Sequence, residues 1–452
     1  MRTQDMTTGK PVRLLIAFAL PLMAGSVFQQ VYTLTDTAIV GHFLGVEALA
    51  SLGAADWFNW LMLSAVLGFT QGFAILLSQR FGAGDEDGLR RAFAMSSLLS
   101  AVVAVALLAL SQVLAKPVFE LLQTPSNIYP GALLYVRVYF SGIPIVTCYN
   151  LLAGALRALG DSKTPLVAMV ISALINVALD LAFVVGFGWG IAGAAAATLI
   201  AQALAMLYCF WAIRRVKQLR LRRGDWQPDL PLCASLLRLG APIALQNGII
   251  AIGGMAVQRV VNNFGFLFIA GYTATNKLYG LLELAATSFG HALSVYTGQN
   301  LGARRYSRIR EGCRAATWLS LATSAVICVL MLLLGRSILS LFISAEPAKY
   351  DQVMGYAYDF LRVMSLCLPI LYMLHMYRNV LQGMGDTLVP MLSGAVELVM
   401  RIGAVVLLSA WIGEYGPYLS EVFAWTGAAV LQCVVCLRRL RALGPDAPAD
   451  VA

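Results

Sequence analysis

Long apolar runs dominate the chain, and polar residues are largely confined to the short stretches between them. A membrane-spanning helix needs about 20 predominantly apolar residues, and runs of this length recur from one end of the sequence to the other. They predict twelve spans, with ends defined to within a few residues: 13–41, 51–78, 92–115, 133–156, 165–186, 191–213, 236–262, 268–298, 314–335, 354–381, 388–411 and 418–437. These spans leave no room for a soluble domain of ordinary size.

Composition and charge agree with a membrane protein. Only 12% of the residues are charged, whereas about 25% are charged in a soluble domain. The net charge of +9 does not indicate nucleic acid as a partner, because Lys and Arg concentrate in alternate loops. Cytoplasmic loops carry such an excess. We therefore expect a multi-pass protein of the cell inner membrane with both termini in the cytoplasm.

The two halves of the chain resemble each other. Four short motifs recur in the same order, each with a counterpart in the second half: Pro21 and Pro242, SQRFGAG (78–84) and GQNLGAR (298–304), SGIP (141–144) and LCLP (366–369), GDSKTP (160–165) and GDTLVP (385–390). The one long basic connector divides the chain into an N-lobe (1–213), a linker (214–235), a C-lobe (236–437) and a cytoplasmic tail (438–452). We predict an all-α polytopic fold of two six-helix lobes, related by a pseudo-twofold axis along the membrane normal. Such a fold suits alternating access and therefore transport.

One acidic residue lies inside the first span. Asp36 follows Tyr32 by one helical turn, and apolar residues resume at 38–40. A carboxylate in a membrane helix costs about 2.5–3.5 kcal/mol on insertion scales, so it usually faces a bundle interior or a wet cavity. The functional interpretation is an acid that binds a cation or proton. The alternative is that Asp36 lies at the helix end and meets water.

The next polar groups of the first half fall in spans four to six. Asn176 and Asp180 are spaced i, i+4 and share one helix face, Thr198 is the sole hydroxyl of an Ala/Gly run, and Asn150 lies in span four. Carboxylate, amide and hydroxyl oxygens suit a hard cation, and a proton needs only one suitable carboxylate. Structural alternatives remain, since Asn joins membrane helices and Thr bonds its own helix backbone.

The second half carries a different polar set, namely Arg259, Glu283, Glu397 and Arg401. In the repeat register Arg401 corresponds to Asn176, and Glu283 is a candidate to compensate Arg259. These residues form either a static ion-paired network or a polar wall for an anionic or zwitterionic part of a substrate. The three histidines, including His375, look isolated, so no metal other than a coupling Na⁺ is expected.

With these motifs in view, the chain resembles the multidrug and toxic compound extrusion (MATE) family, in particular its DinF-like branch. The resemblance rests on Pro21 and Asp36 with Gly41 after them, the QRFGAG and QNLGA loops, and both GD-x₃-P turns. It implies a twelve-helix transporter that exports drugs or amphipathic metabolites in exchange for H⁺ or Na⁺, needs no cofactor and is a monomer. It also implies that Asp36, Asn176, Asp180 and Thr198 form the cation site, with Tyr32 and Asn150 around it.

Pro21 precedes Asp36 in the first span, so protonation of Asp36 could change the bending of that helix. Simple packing at the helix start is the alternative.

The competing functions are a lipid-linked oligosaccharide flippase of the same superfamily and an intramembrane enzyme. The enzyme would need a nucleophile with its base, or a metal motif, and the sequence offers neither.

Overall fold

The computed structural model describes residues 4–343 and 347–446, which are almost entirely helical. Thirteen α-helices are found in this part of the chain: α1 Pro11–Leu44, α2 Val46–Gly82, α3 Glu86–Leu121, α4 Tyr129–Ser141, α5 Ile143–Ala158, α6 Lys163–Asp180, α7 Gly190–Ile213, α8 Leu230–Val261, α9 Phe266–Gly302, α10 Tyr306–Leu339, α11 Pro347–Gly383, α12 Leu388–Ile412 and α13 Tyr415–Ala442. A π-helix, Leu181–Gly186, directly continues α6.

Each predicted span falls on these helices, although span 165–186 continues through the π-helix and span 236–262 ends one residue after α8. Ten helices of the described chain are long and apolar enough to cross a membrane, and α4 with α5 adds an eleventh as one span bent by 47°. Pro144 lies in the first turn of α5, and its missing N–H explains why the helix breaks there. The remaining predicted span, 268–298, falls on α9, which has 37 residues and is long enough to cross a membrane but is less apolar than the others.

The chain divides into two compact units. Unit 1 is Met1–Met6 with Leu20–Ala244, and unit 2 is Thr7–Ala19 with Leu245–Ala452. The division therefore falls inside α1, next to Pro21, and inside α8, shortly after Pro242. It does not follow the basic connector at 214–235, and the lobe and linker boundaries drawn from the sequence stay a prediction.

The connector is part of unit 1 and packs against its helices. Val216 and Leu219 are buried in the same apolar cluster as residues of α2, α3, α5 and α7. Asp225 is also buried, and the Nε of Arg90 on α3 lies 3.5 Å from its carboxylate. The long basic loop thus belongs to a core and is not a free tether.

Helices α2 and α8 approach each other closely within unit 1. A Cβ added to Gly68 would lie 2.3 Å from the Cα of Ala244, and one added to Gly72 would lie 2.3 Å from the Cα of Gly240. Small residues four apart on both helices permit such backbone proximity, as in other membrane helix pairs. Any larger side chain at Gly72 would force these helices apart.

Aromatic rings form much of the core of unit 2. Tyr272 of α9 stacks on Phe360 of α11 with ring centroids 4.6 Å apart, and Phe360 stacks on Tyr418 of α13 at 4.8 Å. The Tyr418 hydroxyl donates to the carbonyl of Tyr356 at 3.1 Å. This stack joins α9, α11 and α13, three of the four helices that position the charged residues described below.

Candidate functional site

The middle of α1 is unusually polar for a membrane helix. Thr33, Thr35 and Thr37 each donate a hydroxyl hydrogen bond to the carbonyl four residues earlier, at 2.9, 2.9 and 2.8 Å. These bonds satisfy the hydroxyls within the helix itself. Asp36 lies among them and is half-buried, so the carboxylate sits well before the end of α1 at Leu44.

Asp180 is the last residue of α6 and is fully buried. The π-helix begins at the next residue, Leu181. Single π-helical turns are rare and occur frequently at functional sites. No sequence pattern indicates this segment, because its residues, LAFVVG, continue the apolar pattern of a normal helix.

The structure brings the two acids together. The carboxyl group of Asp36 lies within hydrogen-bonding reach of the carboxyl group of Asp180. Neither oxygen of Asp180 nor Oδ1 of Asp36 has a hydrogen-bond donor among the described residues. Both observations are consistent, since two carboxylates are acceptors only and can bond each other only when one of them holds a proton.

Asn176 and Thr198 complete the group predicted from the sequence. Asn176 Nδ2 donates to Thr198 Oγ1 at 3.4 Å, a long hydrogen bond between α6 and α7. Thr198 also donates to the carbonyl of Ala194 at 3.1 Å, so its bond to its own helix coexists with the contact to Asn176. The Asn176 amide oxygen has no donor in the described part of the chain.

Among the described residues, this site therefore offers oxygen acceptors and no cationic side chain that would balance the charge of the acids. Four buried oxygens lack a donor: Oδ1 of Asp36, Oδ1 of Asn176 and both carboxylate oxygens of Asp180. Within the described ranges no Lys, Arg or His forms an ion pair with either acid. Buried charges are normally paired or coordinate a metal, so these acids need a proton or a cation from solution.

The two residues expected around the site behave differently. The Tyr32 side chain lies within electrostatic range of both Asp36 and Asp180. Asn150 donates its amide to the carbonyl of Val146 at 2.8 Å, a bond within its own helix and not to the acids. Pro21 lies inside α1 next to the boundary between the units.

Sequence reasoning missed several groups of this site. The hydroxyl of Tyr135 on α4 has both Asp36 and Asp56 as charged neighbours, so Asp56 on α2 is a third acid on this side of the bundle. Tyr139 stacks on Tyr135 at 5.8 Å and lies near Gln202. Both residues had a signal in the sequence. Asp56 is an acid inside an apolar run, next to Trp57, and Gln202 follows Thr198 by one helical turn.

Unit 2 holds the second polar cluster. Arg401 Nη2 lies 2.9 Å from Glu421 Oε2, and His375 Nε2 lies 3.0 Å from Glu283 Oε1. Glu397 forms a short ion pair with Arg378. We call these six residues the charged network. Glu397 and Arg401 are spaced i, i+4 on α12, but each pairs with a partner on another helix.

Two expectations for this half were wrong. His375 is not isolated, because it is the partner of Glu283. Arg259 is therefore not that partner; it is exposed and forms no ion pair with any residue that the structure describes. Arg378 and Glu421 were missed, since long-range pairing between helices leaves no local pattern in a sequence.

No three His, Cys, Asp or Glu side chains of the described residues are grouped to hold a metal ion. Cys433 and Cys436 are free thiols, the former half-buried and the latter buried. The remaining candidate chemistry is therefore that of the acid pair and the charged network.

Comparison with known proteins agrees with this arrangement. The MatE family model matches residues 21–182 and 242–407, which include every member of the two polar clusters except Thr198 and Glu421. A probable multidrug resistance protein of Bacillus subtilis, YpnP, is 28% identical over 420 residues, covering 92% of each chain. A probable multidrug resistance protein NorM of Thermotoga maritima is 24% identical and covers 95% of this chain and 96% of its own.

Solved structures share the fold. The chain is similar to a MATE protein crystallised in complex with MaL6, with a TM-score of 0.91, 23% identity and coverage of 97% of this chain and 98% of that chain. It is also similar to an outward-facing multidrug resistance transporter, with a TM-score of 0.91, 22% identity and coverage of 98% and 99%.

Proposed function

From the premise that the chain belongs to the MATE family of secondary transporters, we propose that Asp36, Asn176, Asp180 and Thr198 bind the cation whose return drives efflux. Membership makes the protein a multi-pass membrane transporter of small molecules that needs no cofactor, and not an enzyme. It also confirms the predicted fold class. The flippase alternative is not favoured, since the relatives are multidrug resistance proteins.

The observation that carries the proposal is the absence of a partner for buried acceptors. Both oxygens of Asp180 and one of Asp36 have no donor among the described residues, although the two carboxyl groups are close enough to share a proton. A site in this state has lower energy when a cation binds. Since it would be reloaded in each cycle, the cation can drive transport.

We infer that the coupling ion is H⁺. Two carboxyl groups in hydrogen-bonding reach share one proton without any further ligand, and this contact is present between Asp36 and Asp180. Na⁺ would require about six oxygen ligands by analogy with other hard cations. The four unpaired oxygens, together with Thr198 and Tyr32, supply that number of ligands. Na⁺ is therefore the competing ion in the test below.

Orientation and assembly belong to the same proposal. The protein lies in the inner membrane, and its basic loops face the cytoplasm. Both termini are therefore cytoplasmic. The protein acts as a monomer, since each chain carries its own acid pair and its own charged network.

The test is gradient-driven export of a fluorescent drug panel from everted vesicles, with ΔpH imposed alone and then ΔNa⁺ alone. Wild type is compared with Asp36→Asn, Asp180→Asn and the matched control Asp351→Asn, an exposed acid of α11. We expect ΔpH to drive export in wild type and control, and neither site variant to respond. Export driven by ΔNa⁺ alone would identify Na⁺, and not H⁺, as the coupling ion. Unchanged export in both site variants would reject the site.

A further inference from the structure

Two basic side chains of unit 2 have no acidic partner in the described part of the chain. Arg259 lies in the last turn of α8. Lys277 lies about three helical turns after the start of α9 at Phe266. Both side chains are exposed, and neither forms an ion pair with any acid that the structure describes. Their two positive charges therefore stay outside the charged network.

Lys277 lies inside the membrane-spanning part of unit 2, within the predicted span 268–298. A lysine in such a position is costly and normally faces a bundle interior or a water-filled cavity. The Lys277 side chain is exposed, so it does not face the interior of unit 2. Thr273, one turn earlier on the same helix face, and Asn276 are exposed as well. This side of α9 is therefore polar and suited to contact with water.

Arg259 lies on the helix that packs against this part of α9. Val257 and Val261, on either side of Arg259 in α8, belong to the same buried apolar cluster as Phe268 of α9. The end of α8 and the beginning of α9 are thus held together by their apolar faces. Arg259 and Lys277 remain on the exposed sides of the two packed helices.

Acids elsewhere in unit 2 do not supply the missing negative charge. Glu283, Glu397 and Glu421 already have basic partners. The neighbours of Arg259 on α8 are neutral amides, since Gln258 Nε2 donates to Asn262 Oδ1 at 2.9 Å. A surface that carries charges of one sign concentrates ions of the opposite sign, so this surface favours an anion from solution.

The corresponding surface of unit 1 carries the opposite sign. In the repeat register Arg259 lies two residues after the counterpart of Asp36. The register that aligns SQRFGAG with GQNLGAR pairs Lys277 with Trp57, the neighbour of Asp56. Acids of unit 1 are thus replaced by bases of unit 2 at nearly the same two places in the repeat.

Each of the two basic residues has an exposed apolar side chain near it on its own helix. Ile252, about two turns before Arg259, is 50% exposed, and Leu281, about one turn after Lys277, is 39% exposed. Because a short turn joins α8 to α9, the two helices run in opposite directions. Both apolar side chains therefore lie farther from that turn than the charges do. A ligand with an anionic end and an apolar body matches this order.

We propose that Arg259 and Lys277 bind the anionic group of an amphipathic organic compound, a carboxylate or a sulfonate, whose apolar part lies on Ile252 and Leu281. Arg259 offers a planar fork of N–H donors to two oxygens, and Lys277 offers a compact positive charge. The substrate class of the transporter then includes organic anions. That assignment to transport rests on the proposed function, whereas binding at this site does not require the acid pair of unit 1.

The experiment uses three probes that share one fluorophore. Dansylglycine carries a carboxylate, its methyl ester is neutral, and dansyl-ethylenediamine carries an ammonium group. Each probe is titrated into purified protein in nanodiscs of phosphatidylcholine, a lipid without net charge. Arg259→Gln and Lys277→Gln each remove one positive charge, and Lys277→Arg keeps it. The matched control is Arg336→Gln, an exposed basic residue in the last turn of α10.

Wild type should bind dansylglycine more tightly than the ester or the ammonium probe. Each Gln variant should weaken dansylglycine binding about 10-fold, because it removes a charge-assisted hydrogen bond, and should leave ester binding unchanged. Lys277→Arg and Arg336→Gln should bind like wild type. Equal affinity of wild type for the anion and the ester overturns the proposal. So does an equal loss of both probes in the Gln variants, or a loss of the same size in the control.

A second measurement tests whether Lys277 faces water. Lys277→Cys is treated with a membrane-impermeant anionic thiosulfonate reagent, and labelling at this position is measured by mass spectrometry. We expect labelling, and protection from it by dansylglycine. An unlabelled cysteine would show that the position faces lipid and would overturn the site.

Asp36→Asn and Asp180→Asn separate this site from the proposed function. We expect both variants to lose gradient-driven export while they bind dansylglycine like wild type. Export that survives in these variants, with dansylglycine binding still lost in Arg259→Gln, rejects the acid pair and leaves the anion site in place. Export lost in the acid variants, with dansylglycine binding unchanged in Arg259→Gln and Lys277→Gln, rejects the anion site alone.

Discussion

In unit 1 the carboxyl groups of Asp36 and Asp180 lie together and pair with no basic side chain of the described residues, whereas in unit 2 each of three glutamates has a basic side chain as its partner. In the repeat register the difference concentrates at one position, where Asn176 stands in unit 1 and Arg401 in unit 2. An asparagine carries no charge, so a nearby acid stays available to a mobile cation. An arginine forms a permanent ion pair with its acid. Related halves can therefore hold buried acids either for exchange or for structure.

The largest effect is expected from Asp180→Asn. It should reduce gradient-driven export to background, while the melting temperature of the purified protein stays equal or rises, because the substitution removes a buried charge that has no partner. Export assays and thermal unfolding of the same preparation test both parts. A lowered melting temperature would show that the acid is structural.

The next effect belongs to unit 2 and has the opposite sign for stability. Arg401→Met leaves Glu421 buried without its partner, so we expect stability to fall by about 3–5 kcal/mol. The double variant Arg401→Met/Glu421→Leu should recover most of that loss. Denaturant unfolding of both variants provides the measurement; an equally unstable double variant would mean that Arg401 acts through other contacts.

A smaller effect is expected from Thr198→Val, which keeps the shape of the side chain and removes the hydroxyl that accepts from Asn176. Groups that orient a cation ligand typically contribute about 10-fold or more to affinity or activity. We therefore expect the cation concentration for half-maximal export to rise about 10-fold. The conservative variant Thr198→Ser should retain wild-type behaviour.

The smallest effect is expected from Asn150→Ala. The Asn150 amide bonds its own helix at Val146, and an intrahelical hydrogen bond of this kind contributes about 1 kcal/mol at most. Export rate and ion dependence should stay close to wild type. A loss as large as that of Asp180→Asn would place Asn150 in the cation site after all.

Much of the site could be predicted because its signals are local. Asn176 and Asp180 share a helix face by spacing, and an acid inside an apolar run such as Asp36 is conspicuous. The pairing of His375 with Glu283, 92 residues apart, depends on how α9 packs against α11, which no local pattern encodes. The π-helix after Asp180 was equally invisible, since its apolar residues fit an ordinary helix. Asp56 could have been found in the same way as Asp36, since it also lies inside an apolar run.

The division of the chain inside α1 and α8 bears on how such a protein could have arisen. Each half begins with a helix whose first part belongs to the other compact unit: Thr7–Ala19 to unit 2, and the start of α8 up to Ala244 to unit 1. If the halves descend from one duplicated gene, a half-length ancestor would have been completed only by a second copy, with the two exchanging the beginnings of their first helices. Gene fusion would then have made an obligatory dimer into one chain and left each half free to acquire its own charges.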